Sequence, residues 1–409
     1  MGGVFVTDGE QRASLAVVRS LGRAGVSVTV GGSAPRTLAG SSRYCARQVR
    51  YPSPLDRGED FQAFLRDELQ GWRSGVLIPM TDITTLLIAQ ARETLNPLVM
   101  LPIPSEEQIT LARDKGRVLL LAQKLGIPCP LTFIPSERHA LEEVVGNLRY
   151  PAVVKPRFSR FYQRDRWVSG GVRYAYDSED LISKYRDAQA RIPDPLIQER
   201  IKGEGRGVFL LIWDGELKAA FCHRRLREKP PWGGVSVYRE SIALDEKLVE
   251  ESAALLKALD WKGAAMVEFK VDERDGQAKL MEINGRFWGS LQLAIDAGMD
   301  FPLLLYRLAC GENVAPQFQY EVGVKSRWLL GDLDHLLIRL RHSGPPNGLP
   351  GPSVSRFRAC LDFLKLYEPK MYYEIFRLGD PRPGWFELKS YVRDTLRHLR
   401  RAKEKSSAD

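Results

Sequence analysis

Cysteine is scarce in this 409-residue chain: Cys45, Cys129, Cys222, Cys310 and Cys360 are odd in number and far apart. No C-x-x-C pair and no Cys/His cluster occurs, so neither a zinc centre nor a disulfide framework is supported. A reducing, cytoplasmic setting is expected. No stretch approaches 18 uninterrupted apolar residues, so no membrane span is expected. The opening MGGVFVTDGE lacks a basic n-region and a long apolar h-region, so no signal peptide is expected. Internal repeats and low-complexity tracts are also missing. What is present is ordinary globular material, 44% hydrophobic and 27% charged, which excludes disorder and collagen and suits two or three cored domains. The net charge of +9 points to an anionic partner without identifying it. Most of it lies in residues 321–409, where Lys and Arg outnumber Asp and Glu by six.

The first hundred residues alternate short apolar strands with helical patterns. Val4-Phe5-Val6 ends in Thr7-Asp8-Gly9, and Gly75 to Pro79 ends in Met80-Thr81-Asp82. This rhythm predicts a doubly wound parallel sheet over residues 1–104, which binds ligands at the carboxyl ends of its strands. Asp8 and Asp82 stand at those ends, and each serves equally as a cap for the next helix. Ser105 with Gln108 makes a capping box that opens the next unit. Residues 105–318 read as an α+β domain of short strands and hairpins. Residues 319–409 read as a basic helical extension, with Pro- and Gly-rich interruptions at 344–352 and 381–384.

The most informative segment is AAMVEFKVDERDGQAKLMEINGRFWG, Ala264 to Gly289. Two β-rich runs flank Arg274-Asp275-Gly276, and Gly276 suits the left-handed position of a three-residue hairpin loop. With Glu273 facing Gln277, counting back sets Glu268 opposite Glu282. Asn284, two residues on, shares the face of Glu282. Like charges directly opposite destabilise a sheet, unless hard cations such as magnesium sit between them and share their oxygens with phosphates.

The string Glu282-Ile283-Asn284-Gly285-Arg286, with Glu268 on the partner strand, resembles the metal-binding core of the ATP-grasp superfamily, in its carbamoyl-phosphate synthase and biotin carboxylase branch. Other family elements follow in order over residues 106–310. Tyr150 to Pro156 resembles the strand whose lysine, here Lys155, contacts nucleotide phosphates. Asp114-Lys115 resembles the site of the first nucleotide lysine. Pro195 to Glu204 resembles the hinge that holds adenine. The resemblance implies Lys115, Lys155, Gln198, Glu199, Arg200, Ile201 and Glu204 around ATP, with the backbone of 199–201 on the adenine edge. Either Glu199 or Glu204 would take the ribose hydroxyls. It implies Mg2+ or Mn2+ on Glu268, Glu282 and Asn284, with Arg286 and Lys155 offsetting charge on the reacting phosphate. One departure stands out. Where relatives carry a glycine-rich phosphate loop, this chain has RFSRFYQRDRWVSGG, so Arg157, Arg160, Arg164 and Arg166 offer either phosphate cover or recognition of a second anion. A second basic loop is expected at His223 to Lys229, where His223 is read as structural.

The activity implied is an ATP-dependent carboxylate–amine or carboxylate–thiol ligase, whose partners are a small-molecule acid and a nucleophile. Two other readings compete. One is an inactive relative that senses nucleotide; the other is a nucleic-acid binder using Phe158, Phe161, Tyr162 and Trp167 for stacking. Against the latter, no nucleic-acid motif occurs and the acidic hairpin would repel phosphates. Finally, Trp385, Leu388, Val392, Leu396 and Leu399 form a helical stripe, with Lys389, Arg393, Arg397, Arg400 and Arg401 expected on the opposite face. The default for such a helix is packing on its own protein; peripheral membrane contact is the minority reading. A homodimer is the base-rate assembly.

Overall fold

The computed structural model describes residues 3–72, 75–135, 141–342 and 355–406. The glycine- and proline-rich stretch at 344–352 lies outside them.

The amino-terminal unit is the expected parallel sheet. Its elements are β1 (Val4–Val6), α1 (Arg12–Arg23), β2 (Val28–Gly32), β3 (Arg47–Arg50), α2 (Gly58–Glu68), β4 (Gly75–Ile78), α3 (Asp82–Gln90), α4 (Arg92–Leu95) and β5 (Val99–Met100). The strand order is β3-β2-β1-β4-β5, so the order reverses at β1. The central strands are buried on both faces, which is why they read as unbroken apolar runs. At the reversal, Asp8 Oδ2 accepts hydrogen bonds from the hydroxyls of Thr7 and Thr84, both at 2.6 Å. Asp8 thus ties β1 to the start of α3 and caps nothing. Asp82 is not a cap either: α3 is capped by Thr81, in a capping box with Thr84.

The middle unit begins with α5 (Glu106–Arg113), whose Ser105–Gln108 capping box forms as expected, and α6 (Lys115–Lys124), capped by Asp114. Then come β6 (Thr132–Phe133), α7 (Leu141–Gly146), β7 (Ala152–Lys155), the hairpin β8 (Phe161–Gln163) and β9 (Arg166–Val168), β10 (Arg173–Ala175), α8 (Ser178–Gln189) and β11 (Leu196–Glu199). A four-stranded sheet of order β10-β7-β11-β6 has its own small core, with Val154, Leu181, Tyr185 and Ile197.

The largest sheet has seven strands in the order β16-β15-β12-β13-β14-β17-β18. They are β12 (Gly205–Trp213), β13 (Glu216–Lys229), β14 (Val235–Ile242), β15 (Gly263–Val271), β16 (Ala278–Asn284), β17 (Lys325–Arg327) and β18 (Met371–Tyr373), accompanied by α9 (Glu246–Ala258), α10 (Leu291–Asp296), α11 (Phe301–Ala309), α12 (Leu329–Arg341), α13 (Arg356–Leu364) and α14 (Arg382–Ser406). Alternate residues of β12 enter two different cores: Phe209 and Leu211 one, Val208 and Leu210 the other.

Two expectations are corrected here. His223 to Lys229 is not a loop but the second half of β13, which runs on as far as Lys229. Its cations face acids: Arg224 meets Glu240, Arg225 meets Glu268, Arg227 meets Asp332 and Lys229 meets Asp334. Residues 319–409 are not a purely helical extension. They give β17 and β18 to the large sheet, and their buried acids pair with arginines from elsewhere: Arg19 with Asp380 at 2.9 Å, and both Arg12 and Arg239 with Glu374. The physical reason is that these arginines would otherwise be buried without a counter-charge.

Candidate functional site

Glu268 does lie opposite Glu282, but by a different path from the one counted on the sequence. The ladder closes between Asp272 and Gln277, one residue sooner than expected, with Gly276 at φ +70° in the turn. Met281 is then extra in β16, a bulge between the Phe269–Leu280 and Glu268–Glu282 pairs that restores the register. Asn284 shares the face as expected: its Nδ2 donates to Glu268 Oε1 at 3.0 Å.

Cations from four separate elements converge on this acidic pair. Lys115, at the first position of α6, reaches Glu282 Oε2 at 3.2 Å and Ser159 Oγ at 2.8 Å. It is not a solvated helix lysine, since its side chain is only 12% exposed. Arg225 on β13 donates to Glu268 Oε2 at 2.5 Å. Lys155 ends β7 as expected and is buried. Arg286 donates to Asp82 Oδ1 at 3.0 Å and to Asn284 Oδ1 at 3.3 Å, so it links the hairpin to the switch point of the parallel sheet.

These surroundings drive the titratable groups apart. Burial, with Lys115 beside it, lowers the Lys155 ammonium to about 8. Burial would raise Glu282, but Lys115 and Lys155 hold it below the usual carboxylate range. Glu268 goes the other way, raised by burial and by Glu282 against the pull of Arg225. Asp82 is held low against its burial by Arg286, Arg113 and Lys115.

The hinge candidates lie alongside. On β11, Gln198 is buried with Nε2 donating to Thr132 Oγ1, and Glu199 N is spent on Leu131 O. The Arg200 guanidinium lies over the Tyr174 ring, and Ile201 is buried. The Glu199 carboxylate accepts from Leu131 N and pairs with Arg274 and Lys279, with 13% exposure; Glu204 is 33% exposed, beside Arg206 and Arg224. Gly203, at φ +150°, has no room for a side chain: a Cβ there would sit 1.7 Å from Val271 O. Glu273 N→Lys202 O and Val271 N→Glu204 O bonds sew the hinge to the acidic hairpin.

A family model described as ATP-grasp in the biosynthetic pathway with Ter operon matches residues 191–329, the span that runs from the hinge through the acidic hairpin. That span of the chain is similar to the ATP-grasp superfamily. The whole chain is 24% identical over 375 residues to the carbamoyl phosphate synthase large chain of Methanospirillum hungatei, covering 88% of this chain and 31% of that protein. The chain spans about a fifth to a third of the length of the curated relatives it matches. Among solved structures it is similar to the L-amino acid ligase from Bacillus licheniformis, with TM-score 0.59, 19% identity, and 77% of this chain and 75% of that one covered. It is also similar to the biotin carboxylase domain of the Hydrogenobacter thermophilus 2-oxoglutarate carboxylase, in complex with MgADP, ADP and bicarbonate. There the TM-score is 0.62 at 15% identity, over 80% of this chain and 73% of that one. These structural likenesses show the fold.

A cavity of about 720 Å³ opens between the switch point and Arg286. Its wall carries both signs, Arg12, Arg160 and Arg286 against Asp8, Glu10 and Asp82. The arginine-rich segment at its edge is an ordered hairpin, β8–β9, turned at Arg164 and Asp165 (φ +51° and +59°) and fixed by Trp167 N donating to Leu55 O. Arg157 is spent on Asp114 at 2.6 Å, Arg160 lines the cavity, and Arg164 and Arg166 are exposed. His223 is buried edge-on against Phe209 and kept neutral by that burial, as a structural residue should be. Sequence reasoning missed Arg225 as an individual, together with Ser159 and the Arg286–Asp82 bond. Only the E-x-N-x-R string and the β4 strand end hinted at that bond.

The donor set fits magnesium or manganese. Glu268, Glu282 and Asn284 offer hard oxygens on one sheet face, and among the described residues no group of three or more His, Cys, Asp or Glu forms an all-protein cage. Such a partial set suits a cation that shares its shell with phosphates.

Proposed function

We propose that this chain is an ATP-dependent ligase that activates a substrate carboxylate as an acyl phosphate and passes the acyl group to an amine or thiol. The observation that carries the reading is the half-buried acidic pair Glu268–Glu282 ringed by Lys115, Lys155, Arg225 and Arg286. Such a ring suits a highly charged phosphate chain accompanied by hard cations. A substrate carboxylate oxygen attacks the γ-phosphorus and the bond to ADP breaks. The nucleophile then attacks the acyl carbon, inorganic phosphate leaves, and the nucleophile gives up a proton.

Mg2+ or Mn2+ would be held by Glu268, Glu282 and Asn284 and would supply positive charge to offset that of the phosphates. Lys115 and Lys155 hold the phosphates by charge, and Arg286 offsets charge that grows in the transition state. The hinge backbone at 199–201 reads adenine beside buried Gln198, and the more open Glu204 takes the ribose, leaving Glu199 to brace the hinge. The cavity at the switch point holds acid and nucleophile, since its walls present both signs to them. Positioning supplies most of the rate in such transfers.

The nucleotide-sensing alternative has no missing ligand to support it. The nucleic-acid alternative loses its second basic loop, whose cations are paired with acids. An ATP-dependent phosphate-release screen over acid–amine and acid–thiol pairs, with product mass spectrometry, tests the proposal. A condensed product with stoichiometric ADP and phosphate is expected. Tight ATP binding with no release across the panel would replace the ligase with a sensor.

A further inference from the structure

Helix α14 holds the body with the side that is usually turned outward. Pro383 and Gly384 are buried at its start and Phe386 packs against the core. Glu387 accepts from Trp328 Nε1 at 2.6 Å, and the Tyr391 hydroxyl donates to Asp334 at 2.6 Å. At 100° per residue, Glu387 and Tyr391 lie across the helix from Trp385, Val392 and Leu396, with half-buried Leu388 between the two sides. That stripe therefore faces solvent: Trp385 is 61% exposed, Val392 49% and Leu396 51%. The sequence-based default, a stripe packed on its own protein, is overturned. Lys389, Arg393 and Arg397, all exposed, run along one border of the stripe. Side chains beyond Arg397, including Leu399, Arg400 and Arg401, lie outside those described.

A second stripe of the same kind occurs on α13, where Phe357, Leu361 and Leu364 are exposed between Arg356, Arg358 and Lys365. Isolated exposed apolar side chains are ordinary, but a helical stripe of them bordered by cations is not.

We infer that the exposed stripe of α14, with its Lys389–Arg393–Arg397 border, docks the protein in the plane of an anionic lipid surface. Charge complementarity favours that occupant. The stripe would enter the acyl boundary while the long lysine and arginine stems carry their charges up to lipid phosphates. Trp385 has the amphipathic ring that settles at such an interface. A second copy fits worse: symmetric pairing would set the basic border against itself, and Asp394 lies on the opposite side of the helix. No described helix is long and apolar enough to cross a membrane, so the contact is peripheral.

Sedimentation of the full chain with vesicles of phosphatidylcholine alone, or with about 30% phosphatidylserine added, tests this. The chain should pellet with the anionic vesicles, with affinity about tenfold or more above that for neutral ones, and lose most of it in high salt. The double variant Val392→Asp/Leu396→Asp should lose at least about tenfold, as should Lys389→Gln/Arg393→Gln/Arg397→Gln for anionic vesicles alone. These sites are exposed, so circular dichroism should match wild type. The inference is overturned if wild type stays in the supernatant, or if both variants bind as wild type does. It is equally overturned if Val392→Asp/Leu396→Asp instead abolishes a concentration-dependent dimer seen without vesicles. None of these readouts depends on catalysis.

Discussion

In the β15–β16 hairpin two carboxylates face each other inside the protein, while on α14 three large apolar side chains face water. Both reverse the usual sorting of residues, yet they differ in what surrounds them. Each carboxylate of the facing pair has a cation brought from another element: Lys115 from α6 for Glu282 and Arg225 from β13 for Glu268. The α14 stripe is bordered by cations that lie in solvent. A buried charge must be compensated within the molecule or the fold loses several kcal/mol. An exposed apolar stripe loses nothing of that size, so it persists until something outside covers it. The first kind of reversal marks machinery, the second a surface.

The sharpest way to break that contrast is at the hairpin. Glu282→Gln keeps the size and hydrogen-bonding reach of the side chain but removes its charge. Turnover should fall about a thousandfold, some 4 kcal/mol of transition-state stabilisation, with circular dichroism showing the fold retained. Wild-type turnover at saturating magnesium would take the hairpin out of the mechanism.

Lys155→Met comes next. A hydrogen bond to a charged group contributes about 1.5–3 kcal/mol, so affinity for a non-hydrolysable ATP analogue should drop roughly ten- to a hundredfold by calorimetry. The same residue sets a pH dependence. Its ammonium titrates near about 8 because it is buried beside Lys115. Phosphates raise that value, so the protonated form binds better. Affinity is therefore full below pH 8 and declines above it, with proton uptake on binding near pH 8. Titrations in buffers of different ionisation enthalpy should show that uptake in wild type and lose it in Lys155→Met. Equal affinity at pH 7 and pH 9 would return Lys155 to a purely structural role.

Much of this was legible in the sequence, for reasons that differ by region. Period-two alternation and Gly276 placed Glu268 against Glu282, although the loop closes one residue sooner and the Met281 bulge compensates. The parallel sheet was legible because strands buried on both faces read as apolar runs. Arg225 was hidden in a basic string before Pro-Pro and Gly-Gly, where a loop is the natural reading. Only a partner 43 residues away shows it to be part of the site. The carboxylates that tie residues 319–409 to the body, Asp332, Glu374 and Asp380, are likewise invisible without their arginines. The α14 stripe was plain in the sequence, but the side on which it packs was not, because amphipathicity gives a direction and says nothing of what lies along it.

The smallest expected effect lies at the foot of α14. Glu387 Oε1 accepts from Trp328, while Oε2 is buried with no partner among the described residues. Burial, with Glu374 nearby, raises its carboxyl to about 7. The folded state thus holds this proton more tightly than the unfolded chain, whose glutamate titrates near 4.5. Stability from the neutral carboxyl is complete below about 4.5, declines as pH rises through 7, and stays lost above it. Glu387→Gln fixes the neutral form. At pH 8 it should be more stable than wild type by about 2 kcal/mol, a few degrees in melting temperature. At pH 5 the two should nearly coincide. A variant less stable than wild type at pH 8 would mean that Glu387 is a paired, ionised anchor. The foot of α14 would then follow the same rule as the acidic hairpin, and the contrast between the two regions would begin only beyond Tyr391.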